Sequence, residues 1–242
     1  MCGRYASTRT SVDLSTLFDA DDETDGGLVP DYNVAPTDPV PIVHGQPDGR
    51  ALAVARWGLL PHWATDPKVA ARMINARAET VATSSAFATA FARRRCLIPA
   101  DGWYEWLPLP GARSGARRKQ AYFMTPRDGG VLAFAGLWAR WQDRLTCSIV
   151  TMAATGGLTA VHDRMPLVLP PDRWEGWLTG PADPETLLVP PPEEYLAALE
   201  IRPVGPAVGD VRSDGPGLIS RLPGAGEPGV PAPMGALPET LF

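Results

Sequence analysis

The sequence predicts an α+β fold, a single domain with a mainly antiparallel β-sheet core and a few short helices. Two observations carry that expectation. Short runs rich in apolar, β-branched and aromatic residues follow one another along the chain, and turn pairs such as Asp48-Gly49 and Asp128-Gly129 separate several of them, as hairpins require. The connections are short and the helical stretches few, unlike the alternating crossovers of a parallel sheet. With 242 residues, 45% hydrophobic and 20% charged, the chain is long enough to bury a full core.

Residues 10–19 read as a short helix capped by Thr10 or Ser11, with Val12, Leu14, Leu17 and Phe18 on its apolar face. The acidic, Gly-containing stretch 19–27 is a loop. Strands are expected at 40–44, 51–57, 95–100, 103–106, 121–125, 131–138 and 145–152, and helices at 84–94, 172–178 and 193–199. The Gly/Arg-rich insert 108–118 is the expected tip of a long hairpin. After Leu222 the composition collapses into Gly, Pro and Ala, so a domain over 2–221 and a disordered Pro/Gly-rich tail over 222–242 are expected. No internal repeat is found. There is no basic-then-apolar leader and no run of eighteen apolar residues, so a cytoplasmic protein with no membrane partner is expected, or a nucleoid-associated one if it binds DNA; a monomer is expected.

The formal net charge of −5 argues at first against nucleic acid, but its distribution does not. From Arg72 to Arg144 there are twelve Arg or Lys against five Asp or Glu, and from Asp172 onward four against eleven. A basic middle between acidic ends fits one positive groove on an acidic surface. The only lysines are Lys68 and Lys119, against twenty arginines, which favours bidentate, permanently charged phosphate contacts.

Three cysteines, Cys2, Cys96 and Cys147, make an odd count without paired spacing, which argues against a disulfide framework. Cys96 and Cys147 lie in apolar runs and read as small core residues. Cys2 differs, because removal of Met1 would leave its thiol and a free α-amine on adjacent carbons. That pair can attack an aldehyde twice and close a five-membered thiazolidine. The α-amine has a reference pKa near 7.7–8.0 against about 10.4 for lysine, so far more of it is the neutral nucleophile at pH 7. An inert, buried cysteine is the plainer alternative.

Glu105 stands between Tyr104 and Trp106 in a run apolar enough for a buried strand, where a desolvated carboxylate can exchange protons near neutrality. A surface strand residue paired with arginine is the alternative. His162 can donate or accept a proton at physiological pH, though a lone histidine before a turn is commonly a hydrogen-bonded structural residue. Asn75 and Arg77, one residue apart, share a face of an extended segment, where the amide can orient a substrate oxygen and the guanidinium clamp a phosphate. An Arg77–Glu79 ion pair is the structural alternative. Arg4 can bind DNA and favour a thiolate at Cys2 by its charge. Of the tryptophans, Trp57 and Trp103 are expected in the core, whereas Trp63 and Trp106, with Pro36, are candidates to wedge or stack against bases beside a basic groove. His44, His62 and His162 have no metal-ligand spacing and no Gly-rich phosphate loop occurs, so no metal and no cofactor are expected.

Met1-Cys2-Gly3-Arg4-Tyr5, Tyr32-Asn33-Val34-Ala35-Pro36-Thr37, Arg56-Trp57-Gly58-Leu59-Leu60-Pro61-His62-Trp63 and Ile74-Asn75-Ala76-Arg77-Ala78-Glu79-Thr80 form an ordered series of motifs. It continues with Cys96-Leu97-Ile98-Pro99-Ala100-Asp101-Gly102-Trp103-Tyr104-Glu105-Trp106, Val161-His162-Asp163-Arg164-Met165-Pro166 and a weaker Val208-Gly209-Asp210-Val211. In these stretches, spread over nearly all of residues 2–220, the chain resembles the SRAP (SOS response-associated peptidase) family of abasic-site-processing proteins, of the HMCES/YedK type. The resemblance implies that Glu105 lies beside the N-terminal amine, that His162 assists sugar-ring opening or the Schiff-base steps, and that Arg164 contacts phosphate. It implies single-stranded DNA containing abasic sites as the partner, replication-fork proteins as further partners, and a covalent thiazolidine link through Cys2. The peptidase label would then concern exposure of Cys2.

Two rival readings stand beside this one. Class II glutamine amidotransferases also begin Met-Cys-Gly and use the thiol on an amide with the α-amine as base, but Arg4 replaces the apolar residue usual after that start. A non-covalent single-strand binder with an inert Cys2 is the other.

Overall fold

In the computed structural model, which describes residues 2–109, 119–226 and 228, thirteen strands and five short α-helices are found among the described residues. The strands are β1 Tyr5–Ser7, β2 Asp21–Asp22, β3 Asp31–Val34, β4 Pro39–Gln46, β5 Gly49–Trp57, β6 Asn75–Arg77, β7 Arg95–Ala100, β8 Gly102–Pro108, β9 Lys119–Pro126, β10 Leu132–Trp141, β11 Arg144–Ala153, β12 Arg164–Pro166 and β13 Leu199–Val204. The helices are α1 Ser11–Phe18, α2 Ala88–Arg93, α3 Trp174–Thr179, α4 Pro184–Leu187 and α5 Glu193–Ala197. The expected α+β class is the class observed.

One sheet runs β13-β9-β8-β1-β3, antiparallel throughout. The other runs β12-β11-β10-β7-β4-β5-β2, with β6 added to β11. Parallel pairing of β11 with β5 links the ends of the antiparallel series β5-β4-β7-β10-β11, so those five strands close on themselves. Closure leaves both ends of that series paired, and β7, β10 and β11 are buried along nearly their whole length rather than at alternate residues. The main core lies inside and against this second sheet, with Trp57, Trp103, Phe134 and Trp177 buried in it. A smaller cluster of Ala6, Tyr104, Ala121, Phe123, Val204, Val208 and Leu218 covers the other face of the first sheet.

The helices are shorter than their apolar patterns suggested. Thr10 caps α1 through a reciprocal box with Asp13, as its sequence predicts. Only half the expected face is used: Leu14 and Phe18, four residues apart, are buried, and Phe18 packs on Trp174, whereas Val12 and Leu17 are exposed. A helix of two turns has room for a single stripe. The expected helix at 193–199 ends at Ala197, and Leu199 instead begins β13, whose pairing with β9 outweighs the helical propensity. At 84–94 the α-helix occupies Ala88–Arg93, preceded by turns on Ser84.

The hairpin expected around 108–118 has its stem, since Pro108 pairs with Lys119, and its tip at 110–118 lies outside the described residues. Residue 221 still belongs to the fold, because Arg221 bridges Val204 and Leu222 donates to the Pro203 carbonyl. Most of the expected tail lies outside the described residues. Among the described residues no helix is long and apolar enough to cross a membrane.

Tyr5 offers a direct stability test. Its ring is fully buried edge-on to Trp57 and Phe134, yet its hydroxyl is buried without a hydrogen-bond partner. An unsatisfied buried hydroxyl costs roughly 1–3 kcal/mol. Tyr5→Phe should therefore stabilise the protein, by about 1 kcal/mol and a few degrees in Tm; urea denaturation that shows a loss instead would mean the hydroxyl has a partner.

Candidate functional site

β1 brings the start of the chain between two partners. It pairs antiparallel with β8 (Tyr5 opposite Trp103) and with β3 (Tyr5 opposite Val34). Because both partners run opposite to β1, the Glu105 end of β8 and the turn after Val34 lie at the end of β1 from which Cys2 enters. The Tyr104 N–H donates to the Arg4 carbonyl at 2.9 Å, continuing the ladder toward Glu105.

Strand alternation then sorts the side chains. Trp103 and Glu105 face the main core, whereas Tyr104 and Trp106 face the second cluster. Glu105 is 4% exposed, so the buried alternative among its sequence readings is the one adopted. Cys2 is fully buried on the core side. Burial pushes its thiol far above the usual range, and the charge of Glu105 adds to the push. The expectation that Arg4 would favour a thiolate is not met. Arg4 lies across β1 from the thiol, where Nη1 donates to Asn33 Oδ1 at 2.5 Å and to the Val208 carbonyl at 3.0 Å. Burial lowers its pKa against the opposing pull of Asp38, Asp210 and Asp31.

A single strand, β11, gathers the remaining polar residues. β6 lies parallel to it with Asn75 opposite Ile149 and Arg77 opposite Thr151, and β12 lies antiparallel with Arg164 opposite Ala153. At about 3.3 Å per residue, Asn75, Arg77 and Arg164 are set out in steps of two residues. Ala76 is buried while Arg77 is exposed, which confirms the shared face of Asn75 and Arg77. Asn75 Nδ2 donates to the Cys2 carbonyl at 2.8 Å, and its Oδ1 is buried with no hydrogen-bond partner. That oxygen is an acceptor held ready beside Cys2.

His162 precedes β12 and is about a quarter exposed. Its Nδ1 lies 2.9 Å from the Arg164 N–H and 2.7 Å from Asp163 Oδ1. At Nδ1 the neutral ring can accept from the amide, and the imidazolium can donate to the carboxylate. Either protonation state has a partner.

The aromatic candidates part company. Pro36 is half-buried in the turn after β3, at the Cys2 end of β1. The next residue, Thr37, has φ +83°, a strained conformation for a β-branched side chain, held by its N–H to Trp57 O and by Arg56 Nε on its carbonyl. Trp63 is 52% exposed, on a loop anchored by the Leu60 N–H on Thr146 Oγ1, three residues before Ile149 on β11. Gly58 makes this loop possible: it has φ +125°, and a Cβ there would lie 2.5 Å from the Ala70 carbonyl oxygen. Trp106 is not brought to the Cys2 face; it leans on Tyr104 over the second cluster. Trp57 and Trp103 are core, as expected.

Sequence reasoning missed two groups. Glu79 pairs with Arg164 through both carboxylate oxygens rather than with Arg77, and Thr151 holds the same guanidinium through its carbonyl at 2.7 Å. No local signal marks either, since one contact spans 85 residues and the other 13, beyond the reach of neighbouring-residue patterns.

Fold and site together define an antiparallel-rich α+β domain whose second residue is a buried cysteine, held at its carbonyl by an asparagine amide and under the charge of a buried carboxylate. The family model for SOS response associated peptidase (SRAP) matches residues 1–211, and the chain belongs to that family. Abasic site processing protein YoaM of Bacillus subtilis is 34% identical over 211 residues, 83% of this chain and 91% of the relative. Abasic site processing protein YedK of Escherichia coli is 32% identical over 229 residues, 90% of this chain and 99% of the relative. Among solved structures, a phage-related protein from Bordetella bronchiseptica superposes with a TM-score of 0.64 at 30% identity, covering 84% of this chain and 94% of that one. A protein from Bacteroides thetaiotaomicron, 22% identical, shares the fold with a TM-score of 0.75 over 91% of this chain and all of that one.

Proposed function

We propose that this protein processes abasic sites in single-stranded DNA by linking itself to them through Cys2, once Met1 has been removed, and so shields the lesion during the DNA damage response. The observation that carries the reading is the setting of Cys2. Its carbonyl is held by Asn75 and its thiol feels the charge of buried Glu105, in a chain whose relatives YoaM and YedK are named for abasic site processing.

An abasic deoxyribose equilibrates with an open-chain aldehyde. The α-amine nitrogen attacks the aldehyde carbon, the carbonyl oxygen leaves as water after taking two protons, and a Schiff base forms. The thiol sulfur then adds to the imine carbon while its proton passes to nitrogen, closing the thiazolidine with net loss of one water. Because burial keeps the thiol protonated, sulfur needs a nearby base as it attacks, and Glu105 is the carboxylate that acts on it. Glu105 relays protons at the amine, His162 serves the sugar oxygens through Nε2, and Asn75 orients through its unpartnered oxygen. Arg77 and Arg164 hold backbone phosphates beside the site, with Pro36 and Trp63 flanking the strand. No cofactor takes part.

Intact mass after incubation with a uracil-containing oligonucleotide treated with uracil glycosylase tests the proposal. A product heavier by the oligonucleotide less one water is expected. Protein with a free Cys2 amine that stays unmodified would overturn it.

Arg77→Ala should weaken single-strand binding and make the log–log salt dependence shallower by about 0.7, the contribution of one phosphate contact on a single strand. Fluorescence anisotropy over a salt series reads this. An unchanged slope would place the strand away from β6.

A further inference from the structure

Arg164 is already occupied. Its Nη1 donates to Glu79 Oε1 and its Nη2 to Oε2 at 3.0 Å, while Nη2 also donates to the Thr151 carbonyl at 2.7 Å. A guanidinium has five N–H donors. These contacts use both donors of Nη2 and one of Nη1, and Nε is buried. One donor is left for an incoming anion, so a phosphate can be gripped by two parallel N–H bonds only where the carboxylate now sits. Arg77 differs: it is exposed, and its side chain makes no hydrogen bond or ion pair among the described residues. Two arginines two rungs apart on β11 thus meet a strand in different states, one open and one closed by Glu79.

Glu79 is the half of the pair that water reaches. Its side chain is 52% exposed, so the carboxylate can be hydrated when it gives up the guanidinium. Arg164, at 14% exposure, stays anchored by Thr151 when the carboxylate swings out.

We propose that Glu79 is a built-in competitor for the DNA backbone, holding Arg164 in the free protein and exchanging it for a phosphate when a strand enters. The inference rests on the reading of single-stranded DNA as ligand. Exchange lowers affinity for intact and damaged strands alike, so a strand without a lesion leaves sooner while one captured at Cys2 remains. Glu79 acts through Arg164 and is a specificity-determining, not a catalytic, residue.

The test is anisotropy with an intact oligodeoxythymidylate for wild type, Glu79→Gln, Glu79→Asp, Arg164→Gln and the Glu79→Gln/Arg164→Gln pair. Glu79→Gln should bind roughly three- to fivefold tighter, the scale of one exposed ion pair, and should have no such effect when Arg164 is already glutamine. Glu79→Asp keeps the charge but draws the carboxylate back by one methylene from both Nη atoms, and should also bind tighter than wild type. That variant decides the matter if Arg164→Gln does not fold. Equal tightening with and without Arg164, or an aspartate variant that matches wild type, would reduce Glu79 to general charge repulsion and overturn the exchange. Unchanged or weaker binding by folded Glu79→Gln overturns it as well. A wild-type protein that binds no oligonucleotide overturns the DNA reading itself, and the exchange with it.

Discussion

Cys2→Ala should form no adduct with an abasic oligonucleotide that survives SDS and heat, although its α-amine remains and borohydride should still trap a Schiff base. The expected effect is complete loss of the stable product, because no other group near the chain start can close the ring. Cys96 and Cys147 cannot substitute, since both lie within strands, β7 and β11, where the backbone nitrogen is an amide and no α-amine stands beside the thiol. Cys2→Ser should behave like the alanine variant, a hydroxyl being a poorer nucleophile toward an imine. The measurement is denaturing electrophoresis with and without reductant. An SDS-stable product from Cys2→Ala without borohydride would remove the thiol from the mechanism.

Glu105→Gln and His162→Ala should slow crosslinking far more than they weaken binding, because a group that moves protons acts mainly in the transition state. General acid–base participation is typically worth about a hundred- to ten-thousand-fold, and whichever residue serves the slow step should show a loss on that scale at saturating protein. Glu105→Gln keeps the side-chain shape in its 4%-exposed position and removes the negative charge acting on the Cys2 thiol. Single-turnover crosslinking from pH 5 to 9, beside equilibrium binding to a non-reactive tetrahydrofuran analogue, separates the two effects. If both variants bind the analogue poorly yet crosslink at the wild-type rate once saturated, the residues position the strand and do no proton transfer.

The two sets of variants probe different depths of the site. Cys2 supplies the atoms that form bonds, so its replacement changes the product. Glu105 and His162 change the rate at which the same product appears. Glu79 should change neither, only how long an intact strand stays.

Much of this molecule could be read locally. The seven long strands, the Thr10 cap, the core placement of Trp57 and Trp103 and the shared face of Asn75 and Arg77 follow from alternation, apolar runs and capping chemistry, all set by residues within a few positions of one another. The short strands β1, β3, β6, β12 and β13 were not legible that way. The three or four residues of β1, β3, β6 and β12 carry too little periodicity, the start of β13 overlaps the expected helix at 193–199, and each exists because a distant strand offers its edge. Those same strands build the site. β1 sets Cys2 beside β8, and β6 and β12 place Asn75, Arg77 and Arg164 on β11. The side of β1 on which Arg4 lies, and the partner that Glu79 takes, depend on pairings that span 29 to 204 residues. Residue chemistry could name the thiol, the carboxylate and the imidazole; closing the strands on one another brought them together, because a hydrogen-bonded ladder aligns residues by register and not by distance along the chain.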